Sequence, residues 1–131
     1  MCAQTLQQAG FSRQSVLLVA VSGGPDSSAL AHMLAEQQFN VTLASFDHQL
    51  RPGSAQDCRF VQHMAEQLGV SFYSGKADIH RMAEQQKLSL EDAARQARYD
   101  FLFDIAQTVQ AQAVLTAHTA DDQVETVLMH I

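Results

Sequence analysis

Residues 15–27 read SVLLVAVSGGPDS, and this stretch decides the fold. Its first part, residues 15–21, is a continuous apolar run rich in Val and Leu, which is typical of a strand buried on both faces of a parallel sheet. Two adjacent glycines follow at once, and apolar residues then recur at helical spacing over residues 27–38. A buried strand that passes through a glycine turn into a helix predicts the first unit of an α/β fold.

The same alternation of strand and helix continues along the chain. Apolar runs predict further strands, and amphipathic patterns predict further helices, with Gly69 placed to end one of them. The predicted strands cover residues 41–46, 70–73 and 113–117, and the predicted helices cover residues 54–68, 90–109 and 121–131. Strand alternating with helix predicts a doubly wound parallel sheet with helices on both faces, in which ligands bind beyond the carboxyl ends of the strands.

Composition excludes several classes of protein. The chain has 131 residues, enough for about one domain with a real core. A composition of 47% hydrophobic and 17% charged residues excludes a disordered tail. Cys2 and Cys58 have no metal-ligand spacing, which fits a reducing cytoplasm. No apolar run approaches the roughly 20 residues that cross a bilayer, so we expect no membrane partner. The net charge of −6 argues against tight binding of RNA by phosphate contacts alone.

The glycine turn is suited to bind an anion. Gly23 and Gly24 leave their backbone N–H groups unobstructed, and the N-terminus of the following helix adds unpaired N–H groups and a positive dipole end. Pro25 is tolerated in the first helical turn. Asp26 fits only if a cation accompanies the anion. The alternative is a plain strand–turn–helix connection with Ser and Asp as caps; neither a Walker loop nor GxGxxG is present.

Three other polar segments are candidates for the site. The second predicted strand is followed by DHQLRPGS at residues 47–54. Asp47 and His48 are expected at the edge of the sheet at which ligands bind. Ser54 is better explained as a helix cap, with Asp57 in a capping-box arrangement.

The long predicted helix contains Arg95 and Arg98, which are three residues apart and therefore neighbours on one face. Two guanidinium groups suit a phosphate or a carboxylate, and the alternative for Arg95 is an ion pair with Glu91. The last predicted helix begins near TAHTADDQVET at residues 116–126, where Asp122 and Glu125 would share one face and could bind a metal or an ammonium group. The alternative there is a solvated acidic turn capped by Asp121.

These segments resemble the motifs of one enzyme family. SGGPDS resembles the SGGxDS loop of the PP-loop ATP pyrophosphatases, which share an adenine nucleotide alpha hydrolase-like fold, and TAHTADDQVET resembles their HxxDDxxET pattern. The segments DHQLRPGS and ARQARY resemble the DHxLRxxS and ARxxRY motifs of tRNA(Ile)-lysidine synthetases, except that Gln49 stands where Gly is common. The tRNA 2-thiocytidine synthetases, which share the first two motifs, depend on cysteines that this chain lacks.

The resemblance implies a role for each candidate residue. The loop would hold the pyrophosphate part of ATP, Asp47 and His48 would contact adenine and ribose, and Arg98 and His118 would act at the phosphates. Asp26 and Asp122 would share Mg²⁺, and Glu125 would help to place the lysine. The loop residues are Ser22, Gly23, Gly24, Pro25, Asp26 and Ser27.

The implied reaction attaches L-lysine to C2 of the wobble cytidine of a tRNA(Ile) with a CAU anticodon, through an adenylated cytidine. The alternatives are another PP-loop enzyme, such as a 2-thiocytidine synthetase, and a nucleotide-binding module without catalysis. We further expect residues 1–131 to be a catalytic domain cut short at its C-terminus, with tRNA-binding domains beyond it, and a homodimer is left open.

Overall fold

The protein forms one five-stranded sheet with helices on both sides. A computed structural model describes residues 14–21, 25–49, 53–118 and 123–128. The strands are β1 (Val16–Ala20), β2 (Asn40–Asp47), β3 (Ser71–Lys76), β4 (Ala113–His118) and β5 (Gln123–Leu128), and the helices are α1 (Pro25–Glu36), α2 (Ser54–Leu68), α3 (Ile79–Gln86) and α4 (Leu90–Val109). The strand order is β3-β2-β1-β4-β5, in which β1 to β4 are parallel and β5 is antiparallel to β4.

Successive residues of β1 contribute to two separate cores. Leu17 and Val19 belong to the cluster that contains Leu34 of α1 and Val61 of α2. Leu18 instead belongs to a cluster on the other side of the sheet with residues of α4. The apolar run at residues 15–21 is therefore a strand buried on both faces, and the predicted α/β fold with helices on both faces is confirmed.

The sheet has a topological switch point between β1 and β4. From β1 the chain continues to β2 and β3 on one side, and it returns through α3 and α4 to β4 on the other side. In open parallel sheets, the loops that leave neighbouring strands in opposite directions enclose a crevice at their carboxyl ends. The crevice predicted by this topology lies where residues 22–24 follow β1 and residues 119–122 follow β4.

The segment between β3 and α4 contains a helix that the sequence patterns did not predict. Asp78 is the N-cap of α3, and its Oδ1 accepts a hydrogen bond from the Arg81 N–H at 3.2 Å. Ile79 and Ala83 are buried and pack on Ala93 and other residues of α4. At eight residues this helix is too short to be stable alone, and its stability comes from burial of this face.

The helix predicted over residues 121–131 is wrong for residues 123–128. These residues form β5, which pairs with β4 so that Glu125 lies opposite Thr116. Val and Thr, which favour strands, make up half of the segment QVETVL, and the free edge of β4 supplies hydrogen-bond partners that no local pattern reveals. Glu125 therefore lies in a strand and not on the helical face that the sequence predicted it to share with Asp122.

The two ends of α2 differ in how well the sequence predicted them. Gly69 follows α2 in the left-handed conformation, with φ of 71°, as predicted for a residue that ends a helix. The predicted cap at Ser54 is wrong, since α2 begins at that residue and its N-cap is Gly53, without a side-chain cap hydrogen bond. Within the described residues, no helix is long and apolar enough to span a bilayer.

Candidate nucleotide site

The central strands end at the same edge of the sheet. Ala20 of β1 lies opposite Ala44 of β2 and opposite Thr116 of β4. The Val21 N–H continues the ladder by donating to the Ala44 carbonyl at 2.8 Å. Asp47, the last residue of β2, and the ends of β1 and β4 therefore lie at the same edge of the sheet, as the sequence predicted.

The structure describes the predicted site residues to different extents. The side chains of Asp47, His48 and Arg98 lie within the part of the chain that the structure describes. Other predicted residues have a described backbone only: Pro25, Asp26 and Ser27 in the first turn of α1, His118 at the end of β4, and Glu125 in β5. The remaining ones lie outside the described residues: Ser22, Gly23, Gly24 and Asp122.

Asp47 fixes the shape of the loop that follows β2. Its Oδ1 accepts a hydrogen bond from the Gln49 N–H at 2.8 Å, and its backbone carbonyl accepts one from the Ala77 N–H at 3.1 Å. This side-chain-to-backbone bond two residues ahead is an Asx turn. Gln49 has φ of 55°, in the left-handed region that favours glycine. The turn therefore gives a physical reason for the glycine that is common at this position of the DHxLRxxS motif.

His48 lies in a partly buried environment beside Arg98. Its ring meets the Phe46 ring edge to face, with centroids 5.0 Å apart. Desolvation by burial lowers the pKa of His48 from its usual 6.5, the Arg98 charge lowers it further, and the Asp47 charge opposes both. The ring is thus held in its neutral form near pH 7. Its Nδ1 is buried and has no hydrogen-bond partner.

Arg98 extends from α4 to the same place. Its Nε is also buried without a hydrogen-bond partner, and its guanidinium carbon lies 5.4 Å from the centroid of the Tyr99 ring. Arg95 contacts the same ring at 5.9 Å, and an ion pair between Arg95 and Glu91, the alternative considered above, is not observed in the part of the chain that the structure describes. The Arg98 guanidinium group, with its Nε unpartnered, suits an anion such as a phosphate.

The fold therefore brings together two motifs that are about 50 residues apart in the sequence. Buried polar atoms in proteins almost always have a partner, so the unpartnered nitrogens of His48 and Arg98 call for one from a bound molecule. A neutral imidazole next to a guanidinium group suits the sugar and phosphate groups of a nucleotide. Sequence reasoning named both residues and did not foresee their electrostatic interaction.

Sequence reasoning missed the residues that support this pair. Phe101 of α4 packs on Phe46, with ring centroids 5.2 Å apart, and lies directly over Gly75 of β3. A glycine inside an apolar strand often marks close approach by another group, which is the signal that could have identified this contact.

The donor set predicted for Mg²⁺ fits that ion. Among the described side chains, no three His, Cys, Asp or Glu residues gather closely enough to hold a metal. Asp26 and Asp122 provide carboxylate oxygens, the atoms that Mg²⁺ prefers, and this ion is commonly held by one or two carboxylates together with substrate phosphates. The parallel pairing of Ala20 with Thr116 places the carboxyl ends of β1 and β4, which precede these acids in the sequence, on neighbouring strands.

Comparison with known sequences identifies the class of protein. The sequence model of the PP-loop domain family matches residues 2–131, so this chain belongs to the PP-loop domain family. Membership of this family implies the use of ATP.

The chain is also similar to curated proteins of narrower function. It is 46% identical to the tRNA(Ile)-lysidine synthase of Thermus thermophilus over 88% of this chain and 23% of that protein. It is 43% identical to the tRNA(Ile)-lysidine synthase of Thermosipho africanus, again over 88% of this chain and 28% of that protein. The chain thus spans about a quarter of the length of these relatives.

Solved structures of low sequence identity share the fold. The U34-tRNA thiolase NcsA from Methanococcus maripaludis, solved with its [4Fe-4S] cluster, superposes with a TM-score of 0.75 at 15% identity, over 91% of this chain and 43% of that chain. The NH3-dependent NAD synthetase from Campylobacter jejuni superposes with a TM-score of 0.61 at 18% identity, over 88% of this chain and 50% of that chain. These likenesses support the fold assignment alone.

Proposed function

We propose that this chain is the ATP-binding catalytic domain of a tRNA(Ile)-lysidine synthetase. The enzyme would join lysine to C2 of the wobble cytidine of tRNA(Ile) and release AMP and pyrophosphate. The observation that carries the proposal is that His48 and Arg98, which interact electrostatically, each bury a nitrogen without a hydrogen-bond partner. This brings together the two motifs that distinguish lysidine synthetases near the carboxyl edge of a PP-loop sheet. The identity of 46% to a curated tRNA(Ile)-lysidine synthase supports it.

In the first half-reaction, the C2 oxygen of the cytidine attacks the α-phosphate of ATP and pyrophosphate leaves. Backbone N–H groups of residues 22–27 and the Arg98 guanidinium group would stabilise the charge that grows on the phosphates. Neutral His48 would hydrogen-bond the adenosine part of ATP through its unpartnered Nδ1, and His118 would contact the phosphates. When bound between Asp26 and Asp122, Mg²⁺ would supply additional positive charge at the pyrophosphate.

In the second half-reaction, the side-chain amine of lysine attacks C2, and the C2–O bond to AMP breaks. Glu125 would attract the lysine ammonium group and hold it near the activated cytidine. The amine must lose its proton before it attacks, so a carboxylate beside it can both orient the group and accept that proton.

The tRNA partner would be a tRNA(Ile) with a CAU anticodon. The chain carries 14 acidic residues against 8 Lys and Arg, which leaves few cations for phosphate contacts. We therefore propose that most of the tRNA-binding surface belongs to domains beyond residues 1–131, as the greater length of the relatives suggests.

Lysine-dependent release of AMP tests this function. In the full reading frame that contains this chain, we expect ATP, lysine and tRNA(Ile) together to yield AMP, pyrophosphate and a lysine-labelled tRNA. Release of AMP that requires a sulfur donor instead of lysine would identify a thiolase. ATP binding without pyrophosphate release under any of these conditions would identify a nucleotide-binding module without catalysis.

A further inference from the structure

Three aromatic side chains form a continuous row from β3 to the candidate site. Phe101 of α4 packs on Phe46 of β2 with ring centroids 5.2 Å apart and an interplanar angle of 44°. Phe46 in turn meets the His48 ring at 5.0 Å and 65°. We call Phe46 and Phe101 the aromatic wall.

The wall rests on a glycine. Gly75 of β3 lies opposite Phe46 in the β2–β3 ladder. A Cβ atom at Gly75 would lie 2.7 Å from Cδ1 and Cε1 of Phe101, closer than real Cβ atoms approach their neighbours. The ring of Phe101 therefore occupies the space that any larger residue at position 75 would need, and this contact fixes the position of the ring above the strand.

The far end of the row carries the unpartnered polar atoms. His48 Nδ1 and Arg98 Nε are both buried and lack hydrogen-bond partners. Arg98 and Phe101 are three residues apart on α4, and His48 and Phe46 are two residues apart at the end of β2. The wall thus holds together the two backbone segments from which His48 and Arg98 extend.

We propose that Phe46 and Phe101, seated on Gly75, are positioning residues that hold the His48 ring and the Arg98 side chain in the geometry that binds ATP. The inference rests on the proposed function for the identity of the reaction, but its central claim concerns ATP binding. Neither aromatic residue touches the nucleotide in this proposal. Each acts through His48 and Arg98, and a displacement of about 1 Å can cost on the order of 100-fold in rate.

Substitution of Phe101 by Leu tests the wall directly, and Phe103 supplies the matched control. Phe103 lies two residues further along α4, is 49% exposed and belongs to none of the three core clusters. We expect Phe101→Leu to weaken binding of a non-hydrolysable ATP analogue by about 10-fold or more. The affinity of Phe103→Leu for the same analogue should equal that of the unsubstituted chain. Binding is measured by isothermal titration calorimetry on the folded chain at a temperature well below the unfolding midpoint of each variant.

Two further readouts separate positioning from general stability. In Phe101→Leu, water gains access to His48, so its pKa should rise toward 6.5, as followed by NMR titration of the ring, with Asp47 and Arg98 still in place. In the full reading frame, the KM for ATP should rise while the KM for lysine changes less than about twofold. A role confined to stability would lower the unfolding temperature and leave the His48 pKa and the KM for ATP unchanged.

The glycine provides a compensation test. Gly75→Ala should displace the Phe101 ring and weaken ATP binding, whereas Gly75→Ala combined with Phe101→Leu should bind no more weakly than Phe101→Leu alone, because the smaller side chain leaves room for the methyl group. Ser74→Ala, at a neighbouring exposed position of β3, is the control and should bind as the unsubstituted chain does.

The outcomes distinguish this inference from the proposed function. Unchanged ATP affinity and an unchanged His48 pKa in Phe101→Leu would overturn the positioning role, whatever the reaction is. Additive losses in the double variant would also overturn it. Loss of ATP affinity in a protein that makes no lysidine would support the wall and refute the proposed function.

Discussion

The carboxyl edge of the sheet has two halves that are held in different ways. On the β2 side, His48 and Arg98 come from segments fixed by side-chain packing, with Phe46 and Phe101 between them. On the β4 side, the acidic segment that contains Glu125 is attached by backbone pairing, with Glu125 opposite Thr116.

Different interactions therefore determine the geometry of the two halves. Ring contacts and burial fix the direction of a side chain, because interiors are close-packed and leave few rotamers. A strand ladder fixes the register of the backbone instead. We therefore propose that the β2 side recognises a nucleotide of constant shape and that the β4 side supplies charged groups next to it. Substitutions on the two sides should consequently differ in kind.

The largest effect is expected for the acids of the proposed magnesium site, which join the two halves. Asp26→Asn and Asp122→Asn keep the shape and remove the charge, so each should lower pyrophosphate release by about 10³-fold without unfolding the protein. Release is measured in the full reading frame, with Asp100→Asn on the exposed surface of α4 as control. Full activity in Asp26→Asn would show that its assigned role as a metal ligand is wrong.

A smaller and more selective effect is expected for Glu125→Gln. Only the second half-reaction needs the amine, so the KM for lysine should rise about 10-fold while tRNA-dependent pyrophosphate release stays near its original rate. Rapid-quench measurement of both half-reactions checks this. Equal loss in the two steps would mean that Glu125 belongs with Asp122 in the adenylation site.

The helix caps test whether the β2 side depends on packing alone. Ser89 is the N-cap of α4, and its Oγ accepts a hydrogen bond from the Asp92 N–H at 3.1 Å. Ser89→Ala should lower the free energy of unfolding by about 1 kcal/mol, and Ser54→Ala should change it little because Gly53 is the cap of α2. ATP affinity, set by the core contacts further along α4, should stay the same in both variants; a drop in Ser89→Ala would contradict this.

The smallest effect is expected for the pH dependence of stability. The pKa of His48 is lowered in the folded state by burial and by Arg98, so the unfolded chain binds a proton more readily below pH 6.5. The contribution of His48 is therefore absent above this pH, and stability is lost as the pH falls through 6.5 toward the folded pKa. Urea unfolding of His48→Asn should show a weaker pH dependence, and exposed His63→Asn should show none of this change.

The sequence alone was sufficient for features whose cause is local. The apolar run at residues 15–21 predicted a buried strand because residues 16–21 are all apolar, so that both faces of the strand are apolar. Gly69 ended α2 as predicted, since a left-handed residue there favours glycine. The motif residues could be named because polar segments follow the apolar runs, and the carboxyl ends of parallel strands lie at one edge of the sheet.

The tertiary structure decided what depends on distant partners. The segment QVETVL became β5 because the edge of β4 was free to pair with it, and α3 formed because α4 offered an apolar surface to Ile79 and Ala83. The electrostatic interaction of His48 with Arg98, and the row of rings beside it, join residues about 50 positions apart. Local propensity contributes only tenths of a kcal/mol per residue, so pairing and burial, which the whole fold supplies, determine such features.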